Sequence, residues 1–79
     1  MYESTSLKAL HKLEDTKEEV QRTLTISNRQ KNLYRLYQND ELIDSLTVEA
    51  QGEVQRTYTV KGKIDLRLVY ERVATIKWE

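Results

Sequence analysis

At 79 residues, with 13 basic and 13 acidic side chains, no cysteine and no proline, the chain is expected to form one small domain around a modest core. That size leaves no room for a catalytic cleft between two lobes, and the missing cysteine excludes disulfides, thiolate nucleophiles and zinc knuckles. No apolar run approaches the roughly 20 residues of a membrane span, and no hydrophobic leader follows Met1, so the expected setting is the cytoplasm, away from a membrane.

Ser4, Thr5 and Ser6 offer N-cap oxygens ahead of good helix formers, and Leu7, Leu10, Leu13 and Val20 are spaced for one stripe. The spacing predicts a helix over about residues 5–18. From Val20 the pattern changes to Val20, Leu24 and Ile26 among Gln21, Thr23 and Thr25. That β-branched alternation predicts the first strand, over about 20–27.

Further strands are expected at about 33–38, 41–50, 54–60 and 64–78. A two-residue turn at Asn39-Asp40 pairs Tyr37 with Leu42, Arg35 with Asp44 and Leu33 with Leu46. Three-residue turns at Gln51-Gly52-Glu53 and Lys61-Gly62-Lys63 keep apolar residues on one face, making a cross-strand row of Leu33, Leu46, Tyr58 and Leu66. The last segment alternates from Ile64 to Trp78 and, if straight, would be about 50 Å long. It is expected to bend near Glu71-Arg72 and pair its second half with Val20–Ile26. The expected class is therefore α+β: an N-terminal helix packed on a curved, mostly antiparallel five-stranded meander, with partial closure into a small barrel as an option, all within one domain spanning 1–79.

Charge is unevenly placed. Residues 1–28 carry four basic and five acidic groups, 29–40 three and one, 41–55 none and four, and 56–79 six and three. An acidic stretch of Glu41, Asp44, Glu49 and Glu53 thus lies between two basic ones, a pattern suited to self-association or to a charged partner.

Chemistry is sparsely signalled. His11 is the single histidine and has no partner at ligand or triad spacing. Glu14 and Glu18 form an ordinary i, i+4 pair, and Gly52 and Gly62 are isolated turn glycines without a phosphate-binding fingerprint. No catalytic, metal-binding or cofactor-binding residue is assigned, no cofactor is expected, and the chain reads as a non-enzyme.

Two sets of residues carry binding readings. Arg56 and Arg72 fall on the expected apolar face with Tyr70 and Trp78, and arginine and aromatic residues are enriched in interaction hot spots. These four are the candidate contacts of a small accessory or inhibitor module that binds a protein through a strand edge or sheet face. The alternative set is Arg29, Lys31, Tyr34 and Arg35, cations interleaved with an aromatic, as in single-stranded nucleic-acid binding. A designed scaffold without natural function is a third reading, and a strand edge could also pair two copies into a homo-oligomer.

A 14-residue helix ahead of five strands is similar to Sm-like RNA-binding rings, and Val69-Tyr70-Glu71-Arg72-Val73-Ala74-Thr75-Ile76 resembles the final strands of their bacterial members. That resemblance covers little more than ten residues, with Glu71 where those proteins carry a basic residue. Tyr34 to Ile43 resembles a hairpin of fibronectin type III domains, a pattern generic to hairpins.

Overall fold

A computed structural model describes residues 9–69 and 74–79 of the chain. Those residues are all-β: β1 (Ala9–Asn28), β2 (Asn32–Gln38), β3 (Glu41–Val48), β4 (Glu53–Leu68) and β5 (Ala74–Trp78). They form one antiparallel sheet in the order β3-β2-β4-β1-β5, which is not closed into a barrel.

The expected helix is not present, and the α+β class is corrected to all-β. Residues 9–18 belong to β1, and residues 5–8 lie outside the described residues. The stripe read as helical is broken up by two irregularities of the β1–β4 ladder. One adds a residue between Lys12 and Glu14, and the other sets Thr16 and Val20 against Gly62 and Val60. Leu13 is that added residue, and Leu10, opposite Arg67 and 48% exposed, lies on the other face from Val20, so the stripe is not one face of the strand. Helix-forming Lys and Glu side chains then complete a pattern that the ladder overrides.

A straight strand of β1's 20 residues would run about 66 Å at roughly 3.3 Å per residue. The longest dimension of the described molecule is 38 Å. The β1–β4 ribbon consequently bends, and it does so at those irregularities, opposite Gly62 with its φ of 94°. Gly62 is thus a bend inside one continuous β4, not the three-residue turn expected at 61–63.

The bend divides the ribbon into two halves with different neighbours. Beyond it, Ile64–Leu68 of β4 pairs with β2 on the side away from β1. Before it, Leu24–Asn28 of β1 pairs with β5 on the side away from β4. The last segment does return to the first strand region, with Leu24 opposite Trp78 and Ile26 opposite Ile76. The bend expected near Glu71-Arg72 lies outside the described residues.

Folding the ribbon over itself buries one core. Leu24 and Ile26 of β1, Tyr34 and Leu36 of β2, Leu46 and Val48 of β3, and Val60, Ile64, Leu66 and Leu68 of β4 are buried together. At about 1.5–3 kcal/mol for each fully buried large apolar side chain, this cluster is the main stabilising contribution. Asn39 and Asp40, at φ 51° and 69°, make the tight turn between β2 and β3. Tyr37 faces Leu42 as expected, but Ile43 then bulges, so Tyr34 pairs with Leu46 and Leu36 with Asp44. The core face of β2 is therefore Tyr34 and Leu36, in place of Leu33 and Tyr37.

Candidate functional site

β3 pairs with β2 alone, and Glu53–Val60 of β4 pairs with β1 alone, so two strand sides have no ladder among the described residues. The ladder expected between β3 and β4, with Ala50 opposite Val54 and Leu46 opposite Tyr58, does not form. β2 lies between β3 and β4 in the sheet, so the free side of β3 is an outer edge, while the free side of Glu53–Val60 is the one that β2 occupies further along β4.

β3 and the turns at its two ends are tied to β4 without a ladder. At one end the 49–52 turn joins β3 to β4, with Gly52 N donating to Glu49 O at 3.0 Å and Asn28 N donating to Gly52 O at 3.1 Å. At the other end the β2–β3 turn grips β4: Lys61 N donates to Gln38 Oε1 at 2.9 Å, and Lys63 N to Asn39 Oδ1 at 2.9 Å. Between them the Tyr58 hydroxyl donates to Asp44 Oδ2 at 2.5 Å. Burial, and then the adjacent Asp44 carboxylate, push the Tyr58 hydroxyl pKa upward, with Arg56 opposing the rise.

Tyr58 opens onto a small aromatic and charged cluster. Its ring stacks on Trp78 with centroids 6.5 Å apart and 25° between planes. The Trp78 indole donates to Glu14 Oε1 at 2.7 Å. Glu14 also takes a two-point ion pair from Arg22, Nε to Oε1 and Nη2 to Oε2, both at 3.1 Å. The Trp78 hydrogen bond first, and the Arg22 hydrogen bond second, hold the Glu14 carboxyl below the usual carboxylate range. Fixed by these donors, Glu14 ties β5 to the first half of β1.

Of the residues expected to bind a protein, Arg56 and Trp78 fall at or beside this cluster, while Tyr70 and Arg72 lie outside the described residues. Arg56 sits opposite Leu24 in the ladder but is exposed, without an ion pair among the described residues. Its head in water resolves the cost that a buried arginine would carry. Glu14, Arg22 and Asp44 were not legible as partners, since they meet only through the fold of the ribbon.

The nucleic-acid set is split. Arg29 and Lys31 are exposed beside the β1–β2 connection, and Arg35 is half-buried opposite Arg67. Tyr34 is fully buried, its hydroxyl donating to Asn28 Oδ1 at 3.1 Å, so its ring offers no stacking platform. The aromatic that does meet a cation is Tyr37, with Arg67 Cζ 4.1 Å from its ring centre. Next to it Asp65 is buried, with Oδ1 lacking a hydrogen-bond partner among the described residues.

No helix among the described residues is long and apolar enough to cross a membrane, and no group of three or more metal-ligating side chains occurs among them. The Sm-like resemblance loses the leading helix on which it rested. Comparison with protein-family models, curated protein sequences and solved structures finds no match to this chain.

Proposed function

We propose that the chain is a non-enzymatic protein-interaction module that takes up an extended segment of a partner protein on a free edge of its sheet. The observation that carries this reading is the edge strand β3. Among the described residues it has a ladder on one side only, and it bears Leu42 and Ile43, which are 48% and 39% exposed. Edge strands are often blunted by charge, proline, bulges or cover; β3 has the bulge at Ile43 and the charges of Glu41 and Asp44, yet leaves Leu42 and Ile43 exposed along it. Exposed apolar side chains beside unpaired main-chain groups are instead what strand addition uses: the main chain gives affinity, and alternate side chains give selectivity. The carboxylates of Glu14 and Asp44 are each held by neighbouring donors, a structural engagement that suits a binding scaffold.

A selection from a randomised library of unstructured peptides tests the proposal. Selected binders are expected to slow amide exchange over Glu41–Val48 and to lose affinity for the Leu42→Lys and Ile43→Lys variants. Binders that leave exchange in β3 unchanged contradict it.

A further inference from the structure

We infer that the guest of the β3 edge is a basic extended peptide of a partner protein, with lysine or arginine on the face it shares with Glu41 and Asp44 and apolar side chains on the face it shares with Leu42. The inference rests on the edge-binding reading above and adds the chemistry of the guest, face by face.

The bulge at Ile43 sorts the two faces of β3. Across the β2–β3 ladder Asp44 stands opposite Leu36 and Glu41 opposite Gln38, whereas Leu42 stands opposite Tyr37 and Ser45 opposite Arg35. Leu36 and Gln38 share one face of β2, and Arg35 and Tyr37 share the other. Glu41 and Asp44 are consequently neighbours on one face of β3, while Leu42 joins Ser45 on the opposite face. In an unbroken strand, residues 41 and 44 would point to opposite faces.

The acid pair has no cation beside it in the ladder. Its β2 partners Leu36 and Gln38 are uncharged, and from Glu41 to Gln55 the chain carries four carboxylates and no cation. Glu41 is exposed and makes no ion pair among the described residues. Asp44 is half-buried; its Oδ1 accepts from Ser45 N at 2.8 Å and its Oδ2 from the Tyr58 hydroxyl at 2.5 Å. Both donors are neutral, so the negative charge remains, and each oxygen keeps a second lone pair for a further donor. Arg56, which lies near Tyr58, makes no ion pair with either carboxylate.

β3 is an outer edge of the sheet, so an added strand lies directly beside this pair. Facing charges of opposite sign stabilise neighbouring strands, and like charges destabilise them. Lysine or arginine next to Glu41 and Asp44 meets the first condition; an acidic guest meets the second, which suppresses wrong partners. On the other face Leu42, 48% exposed beside the half-buried Tyr37, favours an apolar guest residue. A second copy docking through its own β3 would bring an identical acid pair to this edge, so charge selects a partner of opposite sign.

The test uses the full chain with two synthetic peptides of eight residues, the length of β3, one alternating lysine with valine and the other glutamate with valine, and reads amide exchange by NMR. The lysine peptide is expected to slow exchange in Glu41–Val48, and the glutamate peptide to bind at least about tenfold more weakly, a difference of about 1.4 kcal/mol. In the double variant Glu41→Gln, Asp44→Asn the two affinities are expected to converge to within about threefold. The variant Glu49→Gln, Glu53→Gln removes as much charge elsewhere and is expected to keep the preference. A preference that survives the first variant, or is lost equally in the second, overturns the assignment to Glu41 and Asp44. Protection of β3 by both peptides alike overturns the basic guest and leaves edge binding standing, while protection by neither overturns both. Slow exchange of the outward amides of β3 without peptide, together with dimer mass in sedimentation, makes a second copy the occupant and overturns the partner assignment.

Discussion

Tyr58 of β4 donates its hydroxyl to Asp44 Oδ2 of β3 at 2.5 Å, between two strands that share no ladder. The contact ties β3 to β4 through side chains in place of main chain. A bond to a carboxylate at a half-exposed site contributes roughly 1 kcal/mol, less than the same bond in a dry interior. Tyr58→Phe is therefore expected to lower unfolding free energy by about that amount in urea titrations. The raised tyrosine pKa adds a sign. Its stability contribution is complete below the ordinary tyrosine pKa of about 10 and is lost as pH rises through the higher folded value. The variant should flatten the alkaline loss of stability, and an unchanged alkaline slope would count against the contact.

Glu14 carries the opposite dependence. Its folded pKa is depressed by the Trp78 and Arg22 hydrogen bonds, so its contribution is present above the ordinary carboxylate range and lost as pH falls through the folded value. Glu14→Gln is expected to reduce the acid-side slope of the urea midpoint. Trp78 fluorescence in the native protein should titrate over the same range, because the indole donates directly to this carboxyl. A slope identical to that of the parent protein contradicts the assignment.

Gly62 is expected to tolerate no side chain. Its φ of 94° is unfavourable for L-residues, and an added Cβ would overlap the side-chain amide of Asn39. That amide holds the turn to β4, accepting from Lys63 N at 2.9 Å and donating to Lys61 O at 3.2 Å. Gly62→Ala should cost about 1–3 kcal/mol. In an Asn39→Gly background, which keeps a residue suited to positive φ at the turn, the further cost of Gly62→Ala should shrink, because the overlap is gone. Equal costs in both backgrounds would rule out the steric component.

Asn28 is the polar centre beneath the turn at 49–52. Buried to 6% exposure, it donates to Gln30 O at 2.5 Å and Glu49 O at 2.9 Å, and it accepts from Tyr34. Asn28→Ala leaves several buried groups unpaired and should cost about 2–3 kcal/mol, against about 1–2 kcal/mol for Tyr34→Phe. The double variant should cost less than the sum, since both single changes break the same bond. Strict additivity in chemical denaturation would dissolve the network.

How far the sequence spoke for the fold can be read at these positions. The turn at Asn39-Asp40 was legible because both residue types accept positive φ, and the return of the last segment to β1 followed from a length no small domain could hold straight. The bulge at Ile43 was not legible. It slips β3 by one residue and turns Tyr34 into the core, which removes the aromatic from the nucleic-acid set. Residues 9–18 misled because Leu10 and Leu13 repeat at a helical interval among good helix formers, although in the ladder Leu10 lies on the face away from Val20 and Leu13 is an extra residue. Gly62 looked like a turn because a bend within a continuous strand needs the same positive φ. Arg56 and Trp78 were picked out by residue type alone. Arg22 and Tyr58 are ladder partners between β1 and β4, and Glu14 reaches Arg22 and Trp78 across the bend, so local spacing leaves no mark of their proximity.

The free edge of β3 is the feature on which the binding account depends, and native-state amide exchange in the free monomeric protein tests it most directly. The amides of β3 and of Glu53–Val60 that point away from their single partner strand should exchange rapidly, while those joining β1 to β4 are slow. Slow exchange at those amides of β3 in a monomer would mean that its edge is already paired, and would contradict the account.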